Sequence, residues 1–402
     1  MWIYRDFLNK FNELANLESV LVLGPRQVGK TSLLLKMQPE PGLSIFMDDL
    51  QSRKLAKTDP SFLFGENPGC VFIDEVHLET DLFFEIKKRI DQKRREKLLS
   101  DSKAPVRKSI MFKMTGSNLV QLDSAIKETL AGRVSIYFLL GLSLSEIESE
   151  FKDLDLNLIM YKGGFPELYV SAELNPISYL NDYIRTFIEK DISKSAGVEK
   201  VDEFLQSLSL FAAHTAQIVN FENMSNAIGI KGKTLKEWFG ILKKNLLTYS
   251  LPVYSSNLTK RLTKSPKIYF LDTGLAARLQ GHQDSLSMKN SVQMGSLFEN
   301  FVLTEIIKYK LNFQKEFHLS YYRTKEQEEI DFVLQYRDQI VLIEVKLGSQ
   351  NVDPVVLSST ALKLFKAAPI LVVTYGGEIQ AVANNQIQVP IRKLDQFLKK
   401  YF

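Results

Sequence analysis

One short stretch near the amino terminus constrains the fold of this chain more than any other. The residues GPRQVGKT, from Gly24 to Thr31, follow the apolar run SVLVL and precede SLLLKM, which opens a helix. Two glycines, a lysine and a hydroxyl residue between a buried strand and a helix form the P-loop pattern. The glycines let the backbone wrap closely around phosphates, and the amides at the helix start face the anion. The sequence therefore predicts a nucleotide site.

The loop and the first helical turn supply the residues expected to contact that nucleotide. Lys30 would reach the β- and γ-phosphates, and the hydroxyl of Thr31 would bind Mg²⁺. ATP and Mg²⁺ are the expected ligands. The predicted nucleotide-binding residues are Gly24, Pro25, Arg26, Gln27, Val28, Gly29, Lys30, Thr31 and Ser32.

A second apolar run, CVFIDEV, ends in two acidic residues, Asp74 and Glu75. A carboxylate at a strand end beside a P-loop can hold the magnesium ion, and an adjacent glutamate can polarise the attacking water. We therefore predict Asp74 as a metal ligand and Glu75 as a catalytic residue. The alternative is an ordinary strand with a polar end.

The run IMFKMTGSN, residues 110–118, predicts a third strand that ends in small polar residues. Asn118 or Ser117 could orient the water or sense the γ-phosphate. The same residues would equally suit a turn that caps the next helix. Asn118 is thus a candidate catalytic residue with this alternative open.

Arg133 directly precedes a fourth apolar run, VSIYFLL. It could act as an arginine finger or sense the nucleotide state, in its own subunit or in a neighbouring one. A surface arginine without a catalytic role is the alternative. With a fifth run, LSIFMDDL, the strands among helical segments predict a three-layer parallel sheet with helices on both faces.

Residues 201–271 show a different pattern after a helical stretch at 177–192. Three helical segments, with a turn at Gly229, are followed by the strands LTYSLPVY and KIYFLD. This order predicts a winged helix that binds DNA. The alternative is a winged helix that only packs between domains. The cations expected to face phosphates are Lys231, Lys233, Lys236, Lys260, Arg261 and Lys264.

In the last third of the chain, EIDFVLQY and QIVLIEVK alternate as two strands around the dipeptide Arg337-Asp338. If that dipeptide forms a two-residue turn, Asp331 lies opposite Glu344. Two carboxylates facing each other repel, so a cation must offset them. Mg²⁺ or Lys346 is the natural candidate.

A third acid, Glu299, lies in the middle of an apolar helical stripe in GSLFENFVLTEII. Burying an unpaired carboxylate is unfavourable by several kcal/mol, so Glu299 should have a partner. A helix glutamate, a strand aspartate and then Glu-x-Lys form the arrangement of the PD-(D/E)XK nuclease fold. There Glu299, Asp331 and Glu344 would bind metal, and Lys346 would help to activate the water. Such folds also persist as inactive binding modules.

Nearly the whole chain resembles a family of prokaryotic AAA-type P-loop ATPases with a carboxy-terminal domain of unknown function. The resemblance rests on motifs along the chain. They are GPRQVGKTSL, FIDEVH, TGSN, LAGRV, GGFPE, EKDI, YFLDTGL, GSLFENFV and EIDFVL with IEVK. It implies an ATPase core, a winged helix and a restriction-endonuclease-like domain, with ATP binding as the secure expectation. One departure is His77, where the family pattern has glutamine more often.

Composition sets the remaining limits. With 402 residues the chain should form several domains, and its net charge of +4 does not by itself indicate nucleic acid. One cysteine, no secretory signal and no long apolar run predict a cytoplasmic protein without membrane contact. The expected domains are an ATPase domain at 1–160, a helical connector at 161–200, a winged helix at 201–282 and a nuclease-like domain at 283–402.

The function expected from the sequence is Mg²⁺-dependent ATP hydrolysis coupled to a nucleic-acid-binding, nuclease-like module. The alternative is a nucleotide-dependent switch or scaffold that binds nucleic acid or protein and cuts nothing. The sequence leaves open the nucleic-acid substrate, the pathway and whether the chain forms a homo-oligomer.

Overall fold

The computed structural model describes residues 1–9, 19–37, 42–66, 69–99, 111–117, 122, 129–192, 197–255, 265–348, 352–366 and 368–402. The chain divides into two compact units. The amino-terminal unit comprises residues 5–140, and the carboxy-terminal unit comprises residues 1–4 and 141–402. Among the described helices, none combines the length and apolar character needed to cross a membrane.

A parallel sheet forms the centre of the amino-terminal unit. Its strands are β1 (Ser19–Leu23), β2 (Gly42–Phe46), β3 (Cys70–Asp74), β4 (Met111–Gly116) and β5 (Val134–Phe138). They lie in the order β2-β3-β4-β1-β5 with every pair parallel. The prediction of five strands in a parallel α/β sheet is confirmed. Because the strands are parallel, their carboxyl ends meet at one edge of the sheet.

The inner strands of this sheet are covered on both faces, and their sequences are therefore near-continuous apolar runs. The helices of the unit are α1 (Lys30–Lys36), α2 (Leu50–Thr58), α3 (Pro60–Phe64) and α4 (Leu82–Leu99), with a 3₁₀ turn at Val76–Leu78. Side chains of β1, β3 and β4 share a fully buried cluster with Phe83 and Ile86 of α4. Each such side chain contributes about 1.5–3 kcal/mol of burial.

The first part of the carboxy-terminal unit is helical with a small sheet. Its helices are α5 (Leu144–Glu150), α6 (Leu156–Lys162), α7 (Glu167–Val170), α8 (Pro176–Tyr183), a π-helix (Ile184–Ile192), α9 (Val201–Ala213), α10 (Phe221–Ser225), a 3₁₀ turn (Asn226–Ile228), α11 (Gly232–Lys244), α12 (Thr273–Leu279) and α13 (Ser285–Lys289). Strands β6 (Gln217–Ile218), β7 (Thr248–Leu251) and β8 (Lys267–Phe270) pair antiparallel in the order β6-β8-β7. Gly229 has a φ of 66°, as a turn there requires. The predicted cations Lys260, Arg261 and Lys264 lie outside the described residues.

The second part is a helix against a six-stranded sheet. Its elements are α14 (Met294–Asn312), β9 (His318–Arg323), β10 (Glu329–Tyr336), β11 (Gln339–Lys346), α15 (Ser359–Phe365), β12 (Ile370–Thr374), β13 (Gln380–Ala383), β14 (Gln386–Pro390), a 3₁₀ turn (Ile391–Lys393) and α16 (Leu394–Tyr401). The strand order is β13-β14-β12-β11-β10-β9. Tyr336 pairs with Gln339, so the predicted two-residue turn and its register are confirmed.

Candidate functional site

The loop after β1 has the backbone shape that the P-loop pattern predicts. Gln27 and Gly29 have φ values of 63° and 89°, in the left-handed region. A Cβ on Gly24 would lie 2.1 Å from the carbonyl oxygen of Leu139, so only glycine fits there. Gly29 is the N-cap residue of helix α1, which begins at Lys30, so the free amides of the first helical turn point toward the loop.

Lys30 is buried and folds back onto the loop. Its Nζ donates a hydrogen bond to the carbonyl oxygen of Pro25 at 2.7 Å. Burial lowers the pKa of Lys30, while the nearby carboxylates of Glu75 and Asp74 oppose this shift. The amine therefore lies at the helix start beside two acids, where a phosphate would meet it.

Thr31, Asp74 and Thr115 form one hydrogen-bonded group across the strand ends. The hydroxyl of Thr31 lies 2.9 and 3.1 Å from the two carboxylate oxygens of Asp74, and that of Thr115 lies 2.5 Å from Oδ1. Burial raises the pKa of Asp74 against these hydrogen bonds. A hydroxyl and a carboxylate side by side supply the hard oxygen ligands that Mg²⁺ prefers, so the predicted ligands Thr31 and Asp74 fit this ion.

The backbone of Glu75 is held by Thr115, and its carboxylate is held by His77 and Ser117. Its φ of 49° turns the chain sharply after β3, and its amide donates to Thr115 at 2.9 Å. Oε2 lies 3.0 Å from Nδ1 of His77 and accepts from Ser117 Oγ at 2.8 Å. Although burial opposes it, the His77 hydrogen bond and the Lys30 charge lower the pKa of Glu75 to about 2. The carboxylate is therefore anionic and held in one orientation.

The other two predicted catalytic residues of this unit are Asn118 and Arg133. Asn118 lies outside the described residues. Arg133 forms a two-pronged ion pair with Asp91 of α4, at 2.8 and 2.9 Å. The next residue, Val134, pairs with Ser19 at the start of β1, so Arg133 lies at the edge opposite the P-loop. A five-residue strand separates these edges by about 13 Å. This distance disfavours the prediction that Arg133 acts on the nucleotide of its own subunit, and action on a neighbouring subunit stays a prediction.

In the carboxy-terminal unit, a buried lysine from β8 lies among the predicted metal ligands. Nζ of Lys267 lies 3.0 Å from Oε1 of Glu299, 2.5 Å from Oε1 of Glu329 and 3.6 Å from Oδ1 of Asp331. The hydroxyl of Tyr269, two residues along the same strand, donates to Glu299 at 2.7 Å. Glu299 thus has the partner that its apolar stripe requires.

The position of α14 explains why Glu299 meets that lysine. The next residue, Asn300, accepts a hydrogen bond from the amide of Phe270 at 2.8 Å and donates to Thr273 at 3.2 Å. This pairing fixes α14 against the end of β8. Burial and the Asp331 charge raise the pKa of Glu299 to about 7.

Asp331, Glu344 and Lys346 lie close together, as the hairpin register predicts. The ladder ends at the pair Phe332 and Ile343, and the carboxylate of Asp331 accepts from the Val345 amide at 2.8 Å. Lys346 donates to Glu344 at 2.7 Å. Burial raises the pKa of Asp331, and burial with the Asp331 charge raises that of Glu344 to about 7.

The carboxylates around Lys267 do not fit a divalent ion in this arrangement. Three of them already direct an oxygen at its amine, and ammonium and metal would repel each other. Among the described residues, no group of three metal-ligating side chains has the geometry to hold a metal ion. Metal binding by Glu299, Asp331 and Glu344 stays a prediction from sequence.

Sequence reasoning missed several residues that complete the two sites. The sequence pattern assigns no site role to His77, or to Thr115 inside its strand. It assigns none to Lys267, Tyr269 and Glu329 in the carboxy-terminal unit. A signal existed for Lys267, because KIYFLD places a lysine and a tyrosine two residues apart in a buried strand, as Glu344 and Lys346 are. Their partners could not be inferred from that pattern.

Three family models match the chain in succession. A model of an AAA domain matches residues 16–148. Models of two different domains of unknown function match residues 153–286 and 294–394. Together with the parallel sheet and the P-loop, the first match defines the amino-terminal unit as an AAA-type, P-loop ATPase-like domain.

Two similar proteins are named as uncharacterized. An uncharacterized protein of Mycobacterium tuberculosis is 26% identical over 82% of this chain and 70% of its own length. An uncharacterized protein of Methanocaldococcus jannaschii is 25% identical over 96% of this chain and 86% of its own.

Two solved structures share a weak likeness. The Aeropyrum pernix ORC2 protein has a TM-score of 0.33 and 13% identity over 61% of this chain and 84% of its own. The Thermotoga maritima RuvB Holliday junction branch migration motor has a TM-score of 0.32 and 14% identity over 62% of this chain and 90% of its own. Scores this low carry no weight for function.

Proposed function

We propose that this protein binds MgATP at the P-loop and hydrolyses it. The observation that carries the proposal is the group of Thr31, Asp74 and Thr115 beside the buried Lys30, at the start of α1. A helix start, a lysine and a hydroxyl–carboxylate pair are the elements that bind a nucleotide polyphosphate.

The residues around the P-loop have separate tasks in this proposal. Lys30 leaves the Pro25 carbonyl and neutralises charge on the β- and γ-phosphates. Glu75, anionic and oriented by His77 and Ser117, positions the attacking water and attracts its proton. When bound at Thr31 and Asp74, Mg²⁺ would neutralise charge that develops on the phosphates.

Replacing Lys30 with alanine tests the binding step. We expect the affinity for MgATP to fall about tenfold or more, because the amine is the buried cation at the phosphate position. Isothermal titration with a slowly hydrolysed ATP analogue measures this. The matched control is Lys36→Ala, at the other end of α1, which should bind normally. Equal binding by Lys30→Ala and wild type would remove Lys30 from the site.

For the carboxy-terminal unit we propose nucleic-acid binding by residues 201–271 acting as a winged helix. An open groove of about 820 Å³ runs along α11 and the small sheet. Lys233, Lys236 and Lys243 line it, with Phe221 and Phe239 as apolar walls whose rings are 5.6 Å apart. A groove with cations along a helix and aromatic walls suits a phosphate backbone.

The salt dependence of DNA affinity tests this proposal. In Lys233→Gln/Lys236→Gln we expect the log–log slope of affinity against salt to become shallower by about two, one per lost phosphate contact. Fluorescence anisotropy with labelled duplex measures the slope. Lys399→Gln, on α16, is the matched control and should keep the wild-type slope. A slope near zero for the wild-type protein would contradict phosphate contacts altogether.

The second candidate function is a nucleotide-dependent switch that binds nucleic acid and cuts nothing. The position of Lys267 favours it over the nuclease, because that amine lies where a catalytic metal would bind Glu299 and Asp331. In the nuclease interpretation, Lys346 and the metal-binding carboxylates would be the catalytic groups.

A further inference from the structure

Four carboxylates of the carboxy-terminal unit lie close together: three of them surround Lys267, and the fourth, Glu344, pairs with Lys346. Lys267, 3% exposed, contacts Glu299, Glu329 and Asp331. These four side chains come from β8, α14 and β10, three elements distant in sequence. The ammonium donates to Glu299 and Glu329, and its charge also faces Asp331 at 3.6 Å.

Two outer oxygens of the cluster lie beside further cations. Arg323 lies 3.1 Å from the second oxygen of Glu329, and Lys346 lies 2.7 Å from Glu344. Three cations thus face four acids, Glu299, Glu329, Asp331 and Glu344. Among the described residues, Oε2 of Glu344 is the oxygen of this cluster that is buried without a hydrogen-bond partner.

The distances separate an ammonium site from a metal site. Oxygens of Glu299 and Glu329 lie 3.0 and 2.5 Å from Nζ of Lys267, within hydrogen-bonding distance, and Oδ1 of Asp331 lies at ion-pair distance, 3.6 Å. A divalent ion would need several of the same oxygens within about 2.0–2.6 Å of itself. Both cations cannot use Glu299 and Asp331 together, because they would approach each other closely inside a buried site.

We propose that Lys267 is a built-in cation that takes the place of a divalent ion in this carboxylate cluster. The cluster then binds no metal and serves as an electrostatic joint that fixes β8 against α14 and β10. It follows that this cluster supports no metal-dependent phosphodiester cleavage. This inference is independent of ATP hydrolysis and of DNA binding by the groove.

Terbium luminescence tests the proposal, because Tb³⁺ binds oxygen-ligand sites and emits strongly when a nearby tyrosine transfers energy to it. Tyr269, bonded to Glu299, would be that tyrosine. The measurements use the full chain carrying Asp74→Asn, which removes the carboxylate expected to bind metal in the ATPase unit. With Lys267 present, we expect no site-bound Tb³⁺ emission and no stoichiometric Mn²⁺ binding.

Lys267→Ala in the same background should bind Mn²⁺ about tenfold or more tightly and gain Tb³⁺ emission, since the carboxylates lose their internal cation. The emission should fall when Tyr269→Phe is added, and Tyr321, whose ring centroid lies 5.9 Å from Nζ of Lys267, accounts for any remainder. Lys346→Ala is the matched lysine control and should gain no site. Stoichiometric Mn²⁺ binding by the chain that retains Lys267, or its cleavage of DNA with Mn²⁺, would overturn the proposal. A folded Lys267→Ala variant that gains no metal site would also overturn it. If that variant does not fold, Tb³⁺ emission and Mn²⁺ binding by the chain that retains Lys267 decide the question.

Discussion

Replacing Glu75 with glutamine is expected to lower kcat for ATP hydrolysis by about 100-fold or more while the affinity for MgATP changes less than about threefold. Glutamine keeps the size of the side chain and its contact with Ser117 but removes the charge. Because the pKa of Glu75 is about 2, the wild-type carboxylate is anionic at every pH where the protein would be assayed. Steady-state turnover and analogue binding, measured on the same preparation, separate the two effects.

A matched substitution shows whether the loss is specific to this carboxylate. Glu79→Gln removes another buried acid on the same turn, one that pairs with Lys57 at 3.3 Å. We expect its turnover to stay within about twofold of wild type, since Glu79 belongs to no part of the nucleotide site. Equal turnover in Glu75→Gln and wild type would exclude Glu75 from the chemistry.

His77 should act through Glu75. Its imidazole orients the glutamate and helps to lower its pKa, so its loss would let the pKa of Glu75 rise toward the ordinary value. The contact with Glu75 thus gives His77 a physical role in this structure.

The features predicted well from the sequence are local ones. The P-loop and the Asp74-Glu75 pair are each encoded within a few residues, and buried parallel strands appear as apolar runs. The β10–β11 register followed from one two-residue turn, because side chains alternate with a period of two. These inferences needed no knowledge of distant contacts.

What the sequence could not show are partners that are far apart along the chain. Arg133 pairs with Asp91 on a helix, so its state in this structure could not be inferred from its position before a strand. Lys267 lies in a strand that pairs with β6 and β7, and its carboxylates come from a helix and another sheet. The packing of α14 and β10 beside β8 brings them together.

The same packing predicts a large loss of stability in Lys267→Met. Methionine keeps the length of the side chain but leaves Glu299, Glu329 and Asp331 buried around no cation. Breaking a buried ion pair by removing one partner lowers the free energy of unfolding by about 3–5 kcal/mol. Lys346→Met, at a side chain that is 48% exposed, should lower it by about 1 kcal/mol or less.

Tryptophan fluorescence can follow this unit alone, because both tryptophans of the chain, Trp2 and Trp238, belong to it. Trp238 is buried and packs on Phe204 with ring centroids 5.5 Å apart, so urea unfolding should change its emission.

Adding Glu299→Gln to Lys267→Met should recover part of the lost stability, because it removes one of the carboxylates left unpaired. The two substitutions together would then cost less than the sum of their separate effects. If their effects simply add, Lys267 and Glu299 are not energetically coupled, and the joint between β8 and α14 depends instead on Asn300 and the apolar contacts around it.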